Sequence, residues 1–159
     1  MLLEFKAKNY KSFKDELVFS LIPAGKQTGL DYSILKNQIG SKTYKAICSS
    51  VIYGPNASGK TNVISAIDTF KAIVLRGNIN NEVITNNPNV AAGNLELIPN
   101  NTLKEAQPVC FYIKFIEDNY LIEYSLKLDL GKFLDKNYDR KIVEEKLSLN
   151  SQVVFSRGH

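Results

Sequence analysis

The sequence predicts an α/β domain with a mixed sheet, one long helix and an antiparallel β-lobe. Three observations carry this expectation. A glycine-rich stretch, GPNASGKT, fills residues 54–61 between a continuous apolar run and an amphipathic one. The opening residues alternate apolar and charged. The last fifty residues hold long alternating stretches separated by short polar turns.

Taken in order, Leu3, Phe5 and Ala7 alternate with Glu4, Lys6 and Lys8, the period of a half-buried strand. NYKS (residues 9–12) breaks the pattern as a turn does, and Leu17, Phe19 and Leu21 resume it before Pro23, so the opening reads as a β-hairpin. Residues 23–45 hold three glycines and little periodicity, which suggests a loop with one short strand. AICSSVIY (residues 46–53) is a continuous apolar run, as expected of a strand covered on both faces. From Lys60 onward Val63, Ile64, Ile67, Phe70 and Val74 recur at helical spacing, and the helix should end near Arg76 and Gly77.

The next segment, residues 78–101, holds nine asparagines with Pro88 and Pro99 and reads as a surface loop too polar to pack. From Val109 the chain turns β again. Val109, Phe111, Ile113 and Phe115 line one face, residues 117–119 turn, and Asn150-Ser151 turns a second hairpin. The expected organisation is a single partial domain: hairpin, loop strand and helix over 1–77, an asparagine-rich loop over 78–108, and an antiparallel lobe over 109–159.

Composition sets limits. A chain of 159 residues with 44% apolar and 23% charged residues is of ordinary globular make-up. It has no apolar run near the roughly 20 residues of a membrane span, and its early charge alternation does not fit a signal peptide. A cytoplasmic protein without membrane contact is expected. Cys48 and Cys110 read as reduced, buried small hydrophobes, and His159 is the only histidine, which excludes His-based triads and His-Cys zinc sites. The formal sequon at Asn56-Ala57-Ser58 lies inside the glycine-rich stretch and carries no meaning in the cytosol. The net charge of +4 is concentrated in residues 1–60, with nine lysines against four acids. That excess suits a polyanion or a set of solvated lysines equally well.

The glycine-rich stretch matches the phosphate-loop pattern G-x-x-x-x-G-K-[ST] at every fixed position. Glycines let a backbone wrap phosphates closely, and the helix that follows adds unpaired N–H groups and the positive end of its dipole. Gly54, Pro55, Asn56, Ala57, Ser58, Gly59, Lys60, Thr61 and Asn62 are the expected nucleotide-binding residues. Lys60 would reach the β- and γ-phosphates, and the Thr61 hydroxyl would ligate Mg²⁺. A chance match occurs in about one of every few hundred chains of this length. A strand before the loop and a helix after it make chance rarer still.

GPNASGKTN resembles the Walker A loop of ABC-type ATPases of the SMC, RecF and OLD-like group, which commonly read G-x-N-x-[SA]-G-K-[ST]-N. The opening LLEFKAKNYKSFKD is similar to their first strand and turn. The second half, with VCFYIKFIEDNYLIEYSLKL and IVEEKLSL, resembles the β-rich lobe of bacterial AAA-family ATPases of anti-phage systems. The resemblance implies a P-loop NTPase fold, that of the N-terminal lobe of an ABC ATPase head, with ATP and Mg²⁺ as cofactors. It implies that Asn9, Lys11 and Ser12 contact phosphate or base; a plain β-turn with an exposed lysine is the alternative. It also implies a partner: the rest of the head or a second subunit, an ATP-dependent homodimer when complete, and a nuclease or DNA as the controlled target.

The family hydrolyses ATP with Walker B carboxylates, a signature loop and a switch histidine. No acidic pair after Ala66 ends a buried strand. Glu144 and Glu145 fall mid-strand and read as solvated surface. No catalytic residue is therefore expected in this chain. A nucleotide-gated sensing or binding module with little hydrolysis is the rival. A nucleotide kinase would need a lid of arginines, and Arg76, Arg140 and Arg157 do not cluster in sequence.

Overall fold

The structure is a computed structural model that describes residues 1–25, 29–79, 95–133, 135 and 137–158. It contains β1 (Leu2–Lys8), β2 (Leu17–Ser20), a 3-10 turn (Asp31–Ser33), β3 (Ile34–Ile39), β4 (Lys42–Ile47), α1 (Lys60–Arg76), β5 (Val109–Glu117), β6 (Tyr120–Asp129), β7 (Lys141–Leu149) and β8 (Gln152–Gly158).

Six strands form one sheet in the order β2-β1-β5-β6-β7-β8, and β3 pairs with β4 in a separate hairpin. Every pairing among the described residues is antiparallel, which corrects the expected mixed sheet. The opening hairpin and the β-lobe are also one sheet, because β1 pairs with β5, with Phe5 opposite Ile113 and Ala7 opposite Phe111. The reason lies in the alternation: Leu3, Phe5 and Ala7 present an apolar face, and β5 extends that face across the sheet.

The turns follow the chemistry of their residues. Asp118-Asn119 (φ 47° and 63°) and Asn150-Ser151 (φ 49° and 68°) are two-residue connections with both φ positive. That is what a type I′ hairpin demands, and Asn and Asp tolerate it better than most residues.

Helix α1 lies on the apolar face of the sheet. Val63, Ala66, Thr69, Phe70 and Ile73 are its buried residues, and Phe70 meets Phe5 edge-on with ring centroids 6.0 Å apart and Tyr124 at 5.7 Å. Edge-to-face aromatic pairs add about 0.5–1.5 kcal/mol beyond area burial. Ile64 and Val74, expected on the core face, are exposed. At about 100° per residue both fall on one side of the buried stripe, past its Val63 edge, Val74 just beyond it and Ile64 well beyond. Gly77 ends the helix at φ 70°, its N–H bonded to the Ile73 carbonyl at 2.9 Å, as the left-handed cap requires.

Four expectations need correction. Residues 23–45 contribute two strand stretches, β3 and the start of β4, around Gly40-Ser41, and their hairpin supplies Ala46 to a second core cluster with Leu3, Ile116 and Leu121. The buried strand expected over 46–53 stops at Ile47; Val51 and Tyr53 are 83% and 91% exposed. A strand is buried on both faces only when layers cover it and neighbours pair with it, and no described strand runs beside residues 48–53. Cys48 is exposed for the same reason; both cysteines are free. The asparagine-rich loop, of which residues 80–94 lie outside the described residues, does pack at its flanks: Ile79, Leu95, Leu97 and Asn100 are buried.

Candidate functional site

The phosphate-loop residues connect the exposed segment to α1. Ala57 and Gly59 take left-handed backbone (φ 63° and 87°), and the Ser58 N–H donates to the Pro55 carbonyl at 3.3 Å, so the chain coils back on itself. Gly59 is the N-cap of α1 and, among the described residues, no side chain caps the helix or bonds the N–H groups of its first turn. Residues 54–58 and Thr61 are exposed; Gly59, Lys60 and Asn62 are half-buried.

Lys60 Nζ donates to the carbonyls of Gly54 (2.8 Å) and Pro55 (2.6 Å), so its ammonium lies over the loop. Uncapped helical N–H groups, a cation aimed back over the loop and an exposed hydroxyl on the first turn form an anion-binding donor set. The residues therefore fit a nucleotide's phosphates. Among the described residues no cluster of His, Cys, Asp or Glu is assembled to hold a metal. Mg²⁺ at Thr61 would take phosphate oxygens and water among its other ligands.

The turn after β1 stands beside this loop. Ser12 Oγ accepts from Asn62 Nδ2 at 2.8 Å, and Lys11 Nζ donates to Ser65 Oγ at 2.9 Å and to Glu96 Oε2 at 2.6 Å. Asn9 is buried, its amide nitrogen donating to the carbonyls of Gln107 and Pro108, while its Oδ1 accepts from the Asn100 N–H. Lys11 and Ser12 are thus brought to α1, whereas Asn9 clasps the chain segment before β5.

Several residues of this neighbourhood carried no signal in the sequence. Tyr10, inside a turn, is fully buried and its hydroxyl lies 3.1 Å from Thr69 Oγ1. Burial pushes the Tyr10 phenol up to about 12, against the opposing effect of the Thr69 hydrogen bond. Glu96 is held below the usual carboxylate range by its hydrogen bond from Lys11 and then that from Ser65. A polar turn and an asparagine-rich loop give no periodicity from which these contacts could be read.

Glu144 and Glu145 lie on β7. Glu144 pairs with Lys127 at 3.7 Å and is half exposed, as solvated surface should be. Glu145 is not solvated surface: its side chain is 12% exposed and accepts from Tyr124 and Arg157.

A family model described as "AAA domain, putative AbiEii toxin, Type IV TA system" matches residues 49–157. The chain belongs to this AAA-domain family. The match spans the loop, α1 and β5 to β7 with most of β8, and makes the chain an AAA-type P-loop domain, a class that uses nucleotide and usually Mg²⁺. The opening strands β1 and β2 lie outside the matched residues. No curated protein and no solved structure matches the chain. Among the described residues, no helix of this AAA domain is long and apolar enough to cross a membrane.

Proposed function

We propose that this AAA domain binds Mg-ATP as the N-terminal lobe of an ABC-type ATPase head of the SMC, RecF and OLD-like group. The observation that carries the reading is the uncapped N-terminus of α1, delivered by Gly59 in left-handed conformation and flanked by Lys60 and Thr61. The loop residues 54–62 hold the phosphates, Lys60 supplies the cation for the β- and γ-phosphates, and Thr61 supplies a Mg²⁺ ligand. Mg-ATP brings the phosphoanhydride to be cleaved; this chain's residues bind and orient it.

The rest of the head, or a second subunit, supplies the Walker B carboxylates and the signature loop. The exposed apolar residues 51–53, which precede the loop without a strand partner among the described residues, support a neighbour of this kind. The complete protein dimerises on ATP and controls a nuclease or a DNA-bound partner in the cytoplasm.

One observation favours a second reading. Glu145 is bound to Tyr124 and Arg157, so it is not poised as a base. That suits a nucleotide-gated binding module with little hydrolysis. The deciding experiment for nucleotide binding is calorimetric titration of ATP into the wild-type chain and Lys60→Ala. Binding weakened at least tenfold in a folded variant is expected, and equal affinities would remove the phosphate-loop assignment.

A further inference from the structure

Three successive residues of the turn after β1 are bonded to α1. Tyr10 reaches Thr69 and the Ser65 carbonyl, Lys11 reaches Ser65 Oγ, and Ser12 accepts from Asn62. The bonds climb the helix toward its N-terminus, and the last lands on the first turn. The turn that makes them has an uncommon shape, with Asn9 at φ 55° and Lys11 at φ 48°, a region most side chains disfavour. The clasp of Asn9 on Gln107, Pro108 and Asn100 holds it there.

Ser12 does more than touch the helix. A methyl group at Gly59 would lie 2.7 Å from Ser12 Oγ and 3.4 Å from the Phe13 ring, so this turn closes over Gly59. The Asn62 N–H in turn bonds the Gly59 carbonyl at 2.9 Å. Ser12, Asn62 and Gly59 therefore form a closed set around the residue that aims the first N–H groups of α1.

We infer that Ser12 is a positioning residue for nucleotide: through Asn62 and Gly59 it fixes the phosphate loop, so ATP affinity depends on the Ser12–Asn62 pair. The inference rests on the phosphate-loop reading above. Its physical basis is preorganisation. A loop that samples other conformations at Gly59 presents its donors for only part of the time, and apparent affinity falls by that fraction. The buttress comes from residues outside the 49–157 match, so this part of the site belongs to the opening strands.

The test is a double-mutant cycle on ATP affinity with Ser12→Ala, Asn62→Ala and the double variant, each also melted without nucleotide. Each single change should weaken ATP binding about three- to tenfold, the span of one hydrogen bond. The double variant should lose no more than the worse single one. The nucleotide-free melting temperatures should coincide, because the hydrogen bond between Ser12 and Asn62 is solvent-exposed. Additive losses, wild-type affinity in both single variants, or losses that follow falling nucleotide-free melting temperatures would each overturn the inference. A Lys60-dependent affinity indifferent to Ser12 and Asn62 sinks this inference alone; wild-type protein that does not bind ATP sinks the phosphate-loop reading too.

Discussion

The Tyr10 hydroxyl lies 3.1 Å from Thr69 Oγ1 with both residues buried, which ties the turn after β1 to the middle of α1. The phenol stays protonated across the neutral range, since its pKa is pushed up to about 12. Tyr10→Phe deletes this bond and the one to the Ser65 carbonyl but keeps the ring, which packs on Phe111 with centroids 5.3 Å apart. We expect a loss of about 1 kcal/mol, read as a fall of about 2–4 °C in Tm. Tyr10→Ala also opens a cavity and should cost about 3–5 kcal/mol. Equal melting shifts for the two variants would mean that the ring packing contributes nothing.

Lys11 and Glu96 predict an acid-side dependence. Glu96 is depressed chiefly by its hydrogen bond from Lys11. A carboxyl whose folded pKa lies below its unfolded value contributes stability that is complete above the unfolded value and is lost as pH falls through the folded one. The Glu96 side chain is 49% exposed, so the pair is worth less than about 1 kcal/mol. Lys11→Met should raise Glu96 toward the ordinary glutamate range in a carboxyl NMR titration, with the Ser65 hydrogen bond left to hold part of the depression. It should also flatten the acid limb of Tm against pH. An unmoved Glu96 titration would show that Lys11 does not set it.

Thr61 and Lys60 should fail differently. Lys60→Ala removes the cation and should weaken ATP with or without Mg²⁺. On the proposed reading Thr61→Ala removes a metal ligand only, so it should reduce the gain that Mg²⁺ gives to binding and leave metal-free affinity near wild type. Titrations in Mg²⁺ and in EDTA separate the two. A Thr61→Ala protein that keeps the full Mg²⁺ gain would take the metal away from Thr61.

The parts legible in the sequence were those with a short period or a fixed motif. Alternation placed β1 and β5 to β8, helical spacing placed α1 up to Gly77, and Asp118-Asn119 and Asn150-Ser151 marked their turns. Pairing across the sheet was not legible, because the alternation of β1 states which face is apolar but not that β5 lies next to it. The run over 46–53 looked like a covered strand by composition alone. Whether Val51 and Tyr53 are covered depends on neighbours that no local pattern names. In the site, the motif marked residues 54–61, whereas Ser65, Thr69 and Glu96 depend on a turn whose left-handed residues, Asn9 and Lys11, give no periodic signal.

The remaining prediction concerns turnover by the isolated chain. Hydrolysis needs the phosphate clamp, a carboxylate on the metal side and a base that orients water; a positioned base is typically worth 10²–10⁴-fold. On the proposed reading the clamp is the phosphate loop, where Lys60 lies over the loop and no described side chain caps α1. Glu144 and Glu145 sit on β7, three strands from β1 in the sheet order, one paired with Lys127 and the other with Tyr124 and Arg157. The isolated chain should therefore bind ATP, release phosphate barely above background and stay monomeric with Mg-ATP. Steady-state phosphate release and light scattering, with and without Mg-ATP, measure both. Robust Lys60-dependent turnover would return Glu144 or Glu145 to consideration as the base. ATP-driven dimerisation without turnover would instead favour the nucleotide-gated module, because association would then need no carboxylate beyond those described.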